Sequence, residues 1–457
     1  MKLNPNVTRT LLMRLYRILA CLSLALAAPP TSADASDSAS RPTSVVRHYL
    51  VTTSVFGTVR YFRLDLERQD KRLTGRWNGD ALEGTVANDG LSFVAKGRFG
   101  GSDSVQAVMK DGALSGTIVS LESVGATVPY AHAFTASLVP ERSPASPRRH
   151  DFVPTAFHRQ FSAQTAPVLT IAPGDTVHTI TVDAGGVDAA GVKRSAGGNP
   201  QTGPFYVETA MPGDLLAVHI TRLRLNRDWA GTDDSLVESA LNSRLAVMTK
   251  DNGKPVKWHL DIARGVARPE NPDPHLAGYT VPLRPMLGCI GVAPGPSDAP
   301  PGTGDSGYWG GNMDFNEIVE GTTVYLPVRN PGALLYVGDG HALMGDGEIN
   351  GNALETSLDV EFTVDVLPGR RMSGPRVESA THIMAMGLSG SLDDAFRSAT
   401  ANMAQWLTDD YALNPSEVAQ VIGTTAEYRI SEVADRNSGI VLKIDKARLQ
   451  GLSRPAQ

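Results

Sequence analysis

Between residues 45 and 370 the apolar side chains recur at every second position, and this period commits the chain to β-sheet. Phe62, Leu64 and Leu66 alternate with Arg63 and Asp65, and Val360-Glu-Phe-Thr-Val-Asp-Val-Leu367 alternates as cleanly. A strand of this kind buries one face and must find a second layer to bury it against. The 45 glycines and 30 prolines of the 457 residues supply the turns between such strands, and two long Gly- and Pro-rich loops, 191–204 and 294–312, interrupt them. Loops of that length in a compact domain carry function more often than not.

The pattern divides the chain. In 45–139 a five-residue motif recurs as Leu73-Thr-Gly-Arg-Trp77, Leu82-Glu-Gly-Thr-Val86 and Leu114-Ser-Gly-Thr-Ile118, with Asn88-Asp89-Gly90 and Asp111-Gly112 as turns. This predicts a small all-β accessory domain, a meander closing into a barrel or sandwich. No His, Asp or Glu cluster stands out in it, which suits packing rather than chemistry. Residues 140–150, with three prolines and Arg148-Arg149, read as a linker to a larger domain over 151–450. Within that domain a helical segment is expected at 391–423. Ser391 and Asp394 form a cap, Leu392, Ala395, Phe396, Ala399, Met403, Trp406 and Leu407 share one face, and Asn414-Pro415 opens a second helix that Gly423 stops.

The N-terminus reads as an export signal. Residues 1–33 hold Lys2, Arg9, Arg14 and Arg17 and no acid, followed by the apolar run Ile18–Ala28 and small residues suited to cleavage. That run is about half of the ~20 residues a membrane span needs. The expectation is an exported chain, periplasmic or secreted, with no membrane span after cleavage and a disordered linker at 34–44. The mature chain then keeps one cysteine, Cys289, so no internal disulfide supports it. Cys289 lies in the apolar run Met286-Leu-Gly-Cys-Ile-Gly291, a setting for a buried, inert thiol. His219, after Leu216-Ala-Val, reads as a core histidine. A net charge of −6 argues against a nucleic-acid partner.

Chemistry concentrates in Gly338-Asp339-Gly340-His341-Ala-Leu-Met-Gly345-Asp346-Gly347-Glu348. Asp339 and His341 are two apart and share a face in an extended segment; Asp346 and Glu348 repeat that relation. Imidazole and carboxylates held this way suit a divalent metal with an open position for water. The alternative is carboxylates that cap turns and a histidine bonded to backbone. Gly310-Gly311-Asn312-Met313-Asp314 offers an amide and a carboxylate on a glycine loop, able to hold a carbonyl oxygen or a metal. Asp183 ends a strand before Gly185-Gly186. Glu208 follows the apolar segment Gly203–Val207, where a carboxylate would be paired, metal-bound or raised in pKa as a general base. There is no G-x-S-x-G, no H-E-x-x-H, no Walker A and no dinucleotide fingerprint.

These segments, together with Gly203–Val218, Met286–Pro294 and Leu326-Pro-Val through Gly332-Ala-Leu, resemble the acetamidase/formamidase family over about 151–450. The resemblance implies a mainly β, jelly-roll-like sandwich that hydrolyses short linear amides to carboxylate and ammonia, with a divalent metal near the histidine and carboxylates. On this reading His341, Asp339, Asp183 and Asp314 are the metal ligands, and zinc is the expected ion, with calcium the alternative for a second. Glu348, Glu208 and Asn312 are the catalytic candidates. The partners expected are a small amide substrate and further copies of the chain in a homo-oligomer. Three features depart from the family: the export signal, the added β domain, and Thr209-Ala-Met211 beside Glu208, where a glycine and an acid are usual. A non-catalytic exported binding protein of the same fold is the alternative function.

Overall fold

The computed structural model describes residues 45–452 apart from 98–99, 124, 141–145 and 371. The signal 1–33, the linker 34–44 and the middle of the linker 140–150 lie outside the described residues. The end of that second linker is not a free connector: Arg149–Asp151 pairs in parallel with Thr176–Ile180 as the edge of a sheet.

Residues 46–138 form eight antiparallel strands, β1 (Val46–Val55), β2 (Thr58–Gln69), β3 (Arg72–Trp77), β4 (Asp80–Ala87), β5 (Gly90–Lys96), β6 (Ser102–Lys110), β7 (Ala113–Leu121) and β8 (Tyr130–Leu138). Each pairs with the next, and β1 pairs with β8 to close the barrel. Closure leaves no unpaired edge. The interior is solid: Tyr49, Leu64, Phe93 and Phe134 are buried with Trp77, whose ring meets Phe62, Phe93 and Phe134 edge-on. The recurring Leu-x-Gly motif has a packing origin. Its leucines 73, 82 and 114 point into this core. Its third residue lies where the neighbouring strand crowds the backbone; a Cβ on Gly116 would stand 2.7 Å from Ala107 Cα.

The remaining strands form two sheets. The inner strands of one are Leu215–Leu225, Leu358–Leu367 and Thr323–Pro327; the other centres on Met286–Val292 and Leu335–His341. Their facing side chains, among them Val218, Val324 and Val360 from the first and Ile290 and Val337 from the second, make one core. This is a mainly β sandwich, with alternating burial along Leu358–Leu367 as the sequence period requires. Met286–Val292 and Leu335–His341 are buried on both faces, which is why they read as continuous apolar and glycine runs. His219 is not a core histidine. It alternates outward from Val218 and Ile220, is exposed, and approaches Thr323 Oγ1 at 3.1 Å.

Two helices, Leu392–Tyr411 and Pro415–Thr425, cover one end of the first sheet. Ser391 Oγ accepts the Asp394 N–H, and Asn414 with Glu417 makes a full capping box. Ala395, Ala399, Met403, Trp406 and Leu407 are buried as the helical period predicts. Phe396 and Leu392 are not; Phe396 stacks outside on Tyr428, ring centroids 4.5 Å apart. Gly423 does not end the second helix, which runs two residues further, with Thr424 and Thr425 hydroxyls donating back to carbonyls of the preceding turn.

The barrel meets the sandwich through Arg63 of β2. Its guanidinium donates to Asp214 Oδ1 at 3.2 Å, an acid whose side chain is fully buried. Asp65 holds the same guanidinium from behind at 2.7 Å.

Candidate metal centre

The site forms at one end of the central strand pair. Met286–Val292 and Leu335–His341 run antiparallel with Met286 opposite His341 and Cys289 opposite Gly338. Glu355–Thr356 pairs along the other side of the second strand, past the end of Gln201–Val207, and puts Glu355 opposite His341. Gly310–Asn312 pairs along the first and puts Asn312 opposite Cys289, so Asp314 follows into the same space. Asp314, Asp339 and Glu348 all have left-handed backbones, φ 39°, 57° and 46°. Side-chain-bearing residues hold that conformation at a cost of order 1–3 kcal/mol each, and such strain gathers at functional sites.

His341 is fully buried, and four carboxylates surround its Nε2. Glu355 Oε1 lies at 3.1 Å, Asp339 Oδ2 at 3.5 Å, and Asp314 Oδ1 and Glu348 Oε1 each at 3.9 Å. Neither ring nitrogen has a hydrogen bond, and Asp314 Oδ1, Asp339 Oδ1, Glu355 Oε2 and Glu432 Oε2 are buried without a partner as well. Unsatisfied buried polar atoms are rare and expensive, and this many in one place suit a bound cation. The possible ligand atoms fall into overlapping groups: Asp314, His341 and Glu348; Asp339, His341 and Glu355; and Asp314, Glu432 and Asp435. Within each, the atoms lie within 4.8 Å of one another. The space between them is kept open by Gly288. A Cβ there would collide with Asp314 Oδ1 and stand 2.6 Å from Asp339 Oδ2 and 2.8 Å from His341 Cε1. The donor set, its orphaned atoms and the cradle fit a divalent cation, with room in the ligand list for a second.

The electrostatics agree. Burial alone would push the His341 imidazole down, but Glu355 and Asp339 hold it well above its ordinary value. Burial, then the neighbouring carboxylates Glu348 and Asp339, push Asp314 well up. Burial raises Glu348 to about 8 and Glu432 to about 9. Without a cation, therefore, the cluster accommodates protons. A carboxyl whose folded pKa is raised favours folding below its unfolded pKa, and that contribution is lost as pH rises through the folded value. The metal-free protein is expected to lose melting temperature steadily as pH rises from about 5 to about 9. Saturating divalent cation should flatten the profile. Thermal melts of chelated and loaded protein across this range check it; identical profiles would count against a cation site.

The structure gathers His341, Asp339, Asp314, Glu348 and Asn312 in this cluster. Asn312 Nδ2 donates to Asp314 Oδ2 at 2.6 Å and to Asp435 Oδ2 at 2.7 Å, so it positions carboxylates. Asp183 lies at the margin. One of its oxygens accepts the Val187 N–H and the other the Arg227 guanidinium at 2.8 Å, which leaves it an anchor and not a ligand. Arg227 is buried, stacks on Trp229, and also donates to the Glu355 carbonyl at 3.1 Å, fixing the segment that carries Glu355. Glu208 stands outside the cluster. The strand Gln201–Val207 ends one residue before it, and Glu208 turns into solvent instead of continuing the buried run. Asp346 also leaves the site, held by Arg429 and Asn316. Cys289 faces Phe161 and Tyr336, its thiol near the Thr303 carbonyl and pushed well up by burial, as an inert thiol should be.

Four participants were not singled out from the sequence: Glu355, Glu432, Asp435 and Asn199. Asn199, in the loop 191–204, donates to Asn312 Oδ1 at 2.9 Å and Asp339 Oδ2 at 3.3 Å. Its neighbours Gly197-Gly198 were the available signal. Glu432 is fully buried, and one of its oxygens accepts the Ser306 hydroxyl at 3.1 Å.

Residues 304–436, which include most of this cluster, match the Acetamidase/Formamidase family. An acetamidase from Bacillus halodurans is 28% identical, covering 66% of this chain and 99% of that one at a TM-score of 0.56. A predicted acetamidase/formamidase from Thermoanaerobacter tengcongensis is 27% identical over 67% of this chain and 99% of its own, TM-score 0.57. An acetamidase from Yersinia enterocolitica is 28% identical over 67% and 95%, TM-score 0.58. A putative formamidase of Schizosaccharomyces pombe shares 51% identity over 41 residues, and the chain spans only 10% of that curated relative's length. Over residues 304–436 the chain thus matches that family's model, and the sandwich as a whole is similar to its solved acetamidases.

Proposed function

We propose that this protein is an amide hydrolase that releases ammonia from short linear amides of the formamide and acetamide type. The observation that carries the reading is the convergence of buried, unpartnered ligand atoms on His341 across the cradle at Gly288; the family and its solved acetamidases supply the reaction class. Asp339, His341, Glu355 and Asp314 would hold the first cation, with Glu432 and Asp435 beside Asp314 toward a second. A bound divalent cation supplies carbonyl polarisation and an acidified water at such a site.

The chain's own residues do the rest. Asn199 and Asn312 hold the carboxylates of Asp339 and Asp314 in place through their amide N–H groups. Arg227 and Asp183 lock the segment that carries Glu355. Glu348, with one oxygen steadied by the Ala353 N–H at 3.0 Å, is placed to take a proton from water and return it to the departing nitrogen. In this reading residues 1–33 direct the chain out of the cytoplasm and zinc is the first ion.

The test is metal analysis of untreated protein beside ammonia release from formamide, acetamide, propionamide and benzamide. The expected result is at least one equivalent of divalent metal and turnover falling with the size of the amide. Bound metal without ammonia from any amide would favour the non-catalytic binding protein.

A further inference from the structure

Where the barrel meets the sandwich there is a cleft of about 520 Å³, remote in composition from the metal centre, since it shares no residue with the ligand groups. Its size falls in the range of pockets that take small organic ligands, roughly 300–1,000 Å³. Phe62 from β2 and Pro212, Val328 and Met372 from the sandwich give it apolar walls. Among the described residues, the charged ones that line it are Arg60, Arg329 and Asp214.

Asp214 is already satisfied. It accepts the Met211 N–H at 2.9 Å, the Gly369 N–H at 2.8 Å and the Arg63 guanidinium. The two arginines are not. Among the described residues neither guanidinium has a hydrogen bond or an ion pair; Arg329 only lies over the Tyr308 ring, 5.3 Å from its centroid. Arg60 also borders the barrel rim, where Asp103 has both oxygens taken by Trp77 and Ser120. One arginine comes from each side of the junction. Planar guanidinium groups recognise carboxylates by paired N–H donors.

We propose that this cleft is a second ligand site, which takes an organic carboxylate with an apolar body and holds it between Arg60 of the barrel and Arg329 of the sandwich. The apolar part lies against Phe62, Val328 and Met372, and the carboxylate faces the two guanidinium groups. Because the ligand touches both parts of the molecule, its binding ties the barrel to the sandwich and stabilises the folded chain by mass action. The inference does not rest on the proposed activity.

Calorimetric titration of the full chain with phenylacetate tests it, with phenylacetamide and inorganic phosphate as the other two probes and melting temperature as a second readout. Phenylacetate should bind and raise the melting temperature; the neutral amide and phosphate should bind at least tenfold more weakly. Arg60→Gln with Arg329→Gln should weaken phenylacetate at least tenfold, leave the unliganded melting temperature unchanged and leave ammonia release intact. Chelation of metal should not alter phenylacetate binding. Absence of binding, equal binding of phenylacetamide or phosphate, or binding that vanishes with the metal and ignores both arginines would each overturn the proposal.

Discussion

His341→Ala is expected to lose bound metal and amide turnover together, with ammonia release falling to background. The imidazole is the one nitrogen ligand in a ring of carboxylates, and two of the three ligand groups include it. Glu348→Gln should separate the two properties. It keeps the shape of the side chain and the Ala353 contact, so metal should stay, but the proton carrier is gone and turnover should drop by about 10²–10⁴. Metal content, melting temperature and ammonia release on both variants check this. A stable His341→Ala protein with full metal and normal turnover would remove the cluster from the reaction.

Gly288→Ala should be nearly as severe, although glycine contributes no ligand. The added methyl would occupy the space between Asp314, Asp339 and His341, in the middle of a strand buried on both faces and paired on both sides. Neither backbone nor ligands can retreat without breaking a ladder. Overpacking of this kind costs about 1–3 kcal/mol, and displacing donors by about 1 Å costs on the order of 10² in rate. Metal affinity and turnover should therefore fall while the barrel and the helices keep their structure. Gly304→Ala, whose Cβ would meet nothing within 4 Å, is the matched control and should behave as the unaltered protein. Normal metal binding in Gly288→Ala would show that the cation does not sit in the cradle.

What could be read from the sequence followed from locality. The period-two pattern specified the sheets, and the Leu-x-Gly repeat marked the barrel because each repeat solves the same packing problem between adjacent strands. Asp339 and His341 were visible because two neighbouring positions of one strand carry both ligands. Glu355 was hidden because only its register opposite His341 makes it a ligand. Glu432 arrives through an isolated parallel bridge to Gly347, a contact that no local pattern encodes. Glu208 was misread because the buried run ends at Val207, and one residue decides whether a carboxylate is enclosed or wet. Asp183 is a ligand candidate by sequence, but both its oxygens are occupied, one by the Val187 N–H and one by Arg227, a residue distant in sequence.

The bridge between Gly347 and Glu432 also sets an order of events. The loop that carries Glu348 is pinned by backbone hydrogen bonds with Ser431 and Val433, at the far end of the chain. A polypeptide emerging from its N-terminus presents Asp314, Asp339 and His341 long before Glu432 and its neighbours exist to complete the enclosure. Contacts of such long sequence separation form late in folding. The incomplete chain thus lacks the full set of donors, and tight capture of a cation has to wait until the last strands have closed. On the proposed reading, selection of the cation falls to the finished protein, wherever it finishes folding, and not to the nascent one.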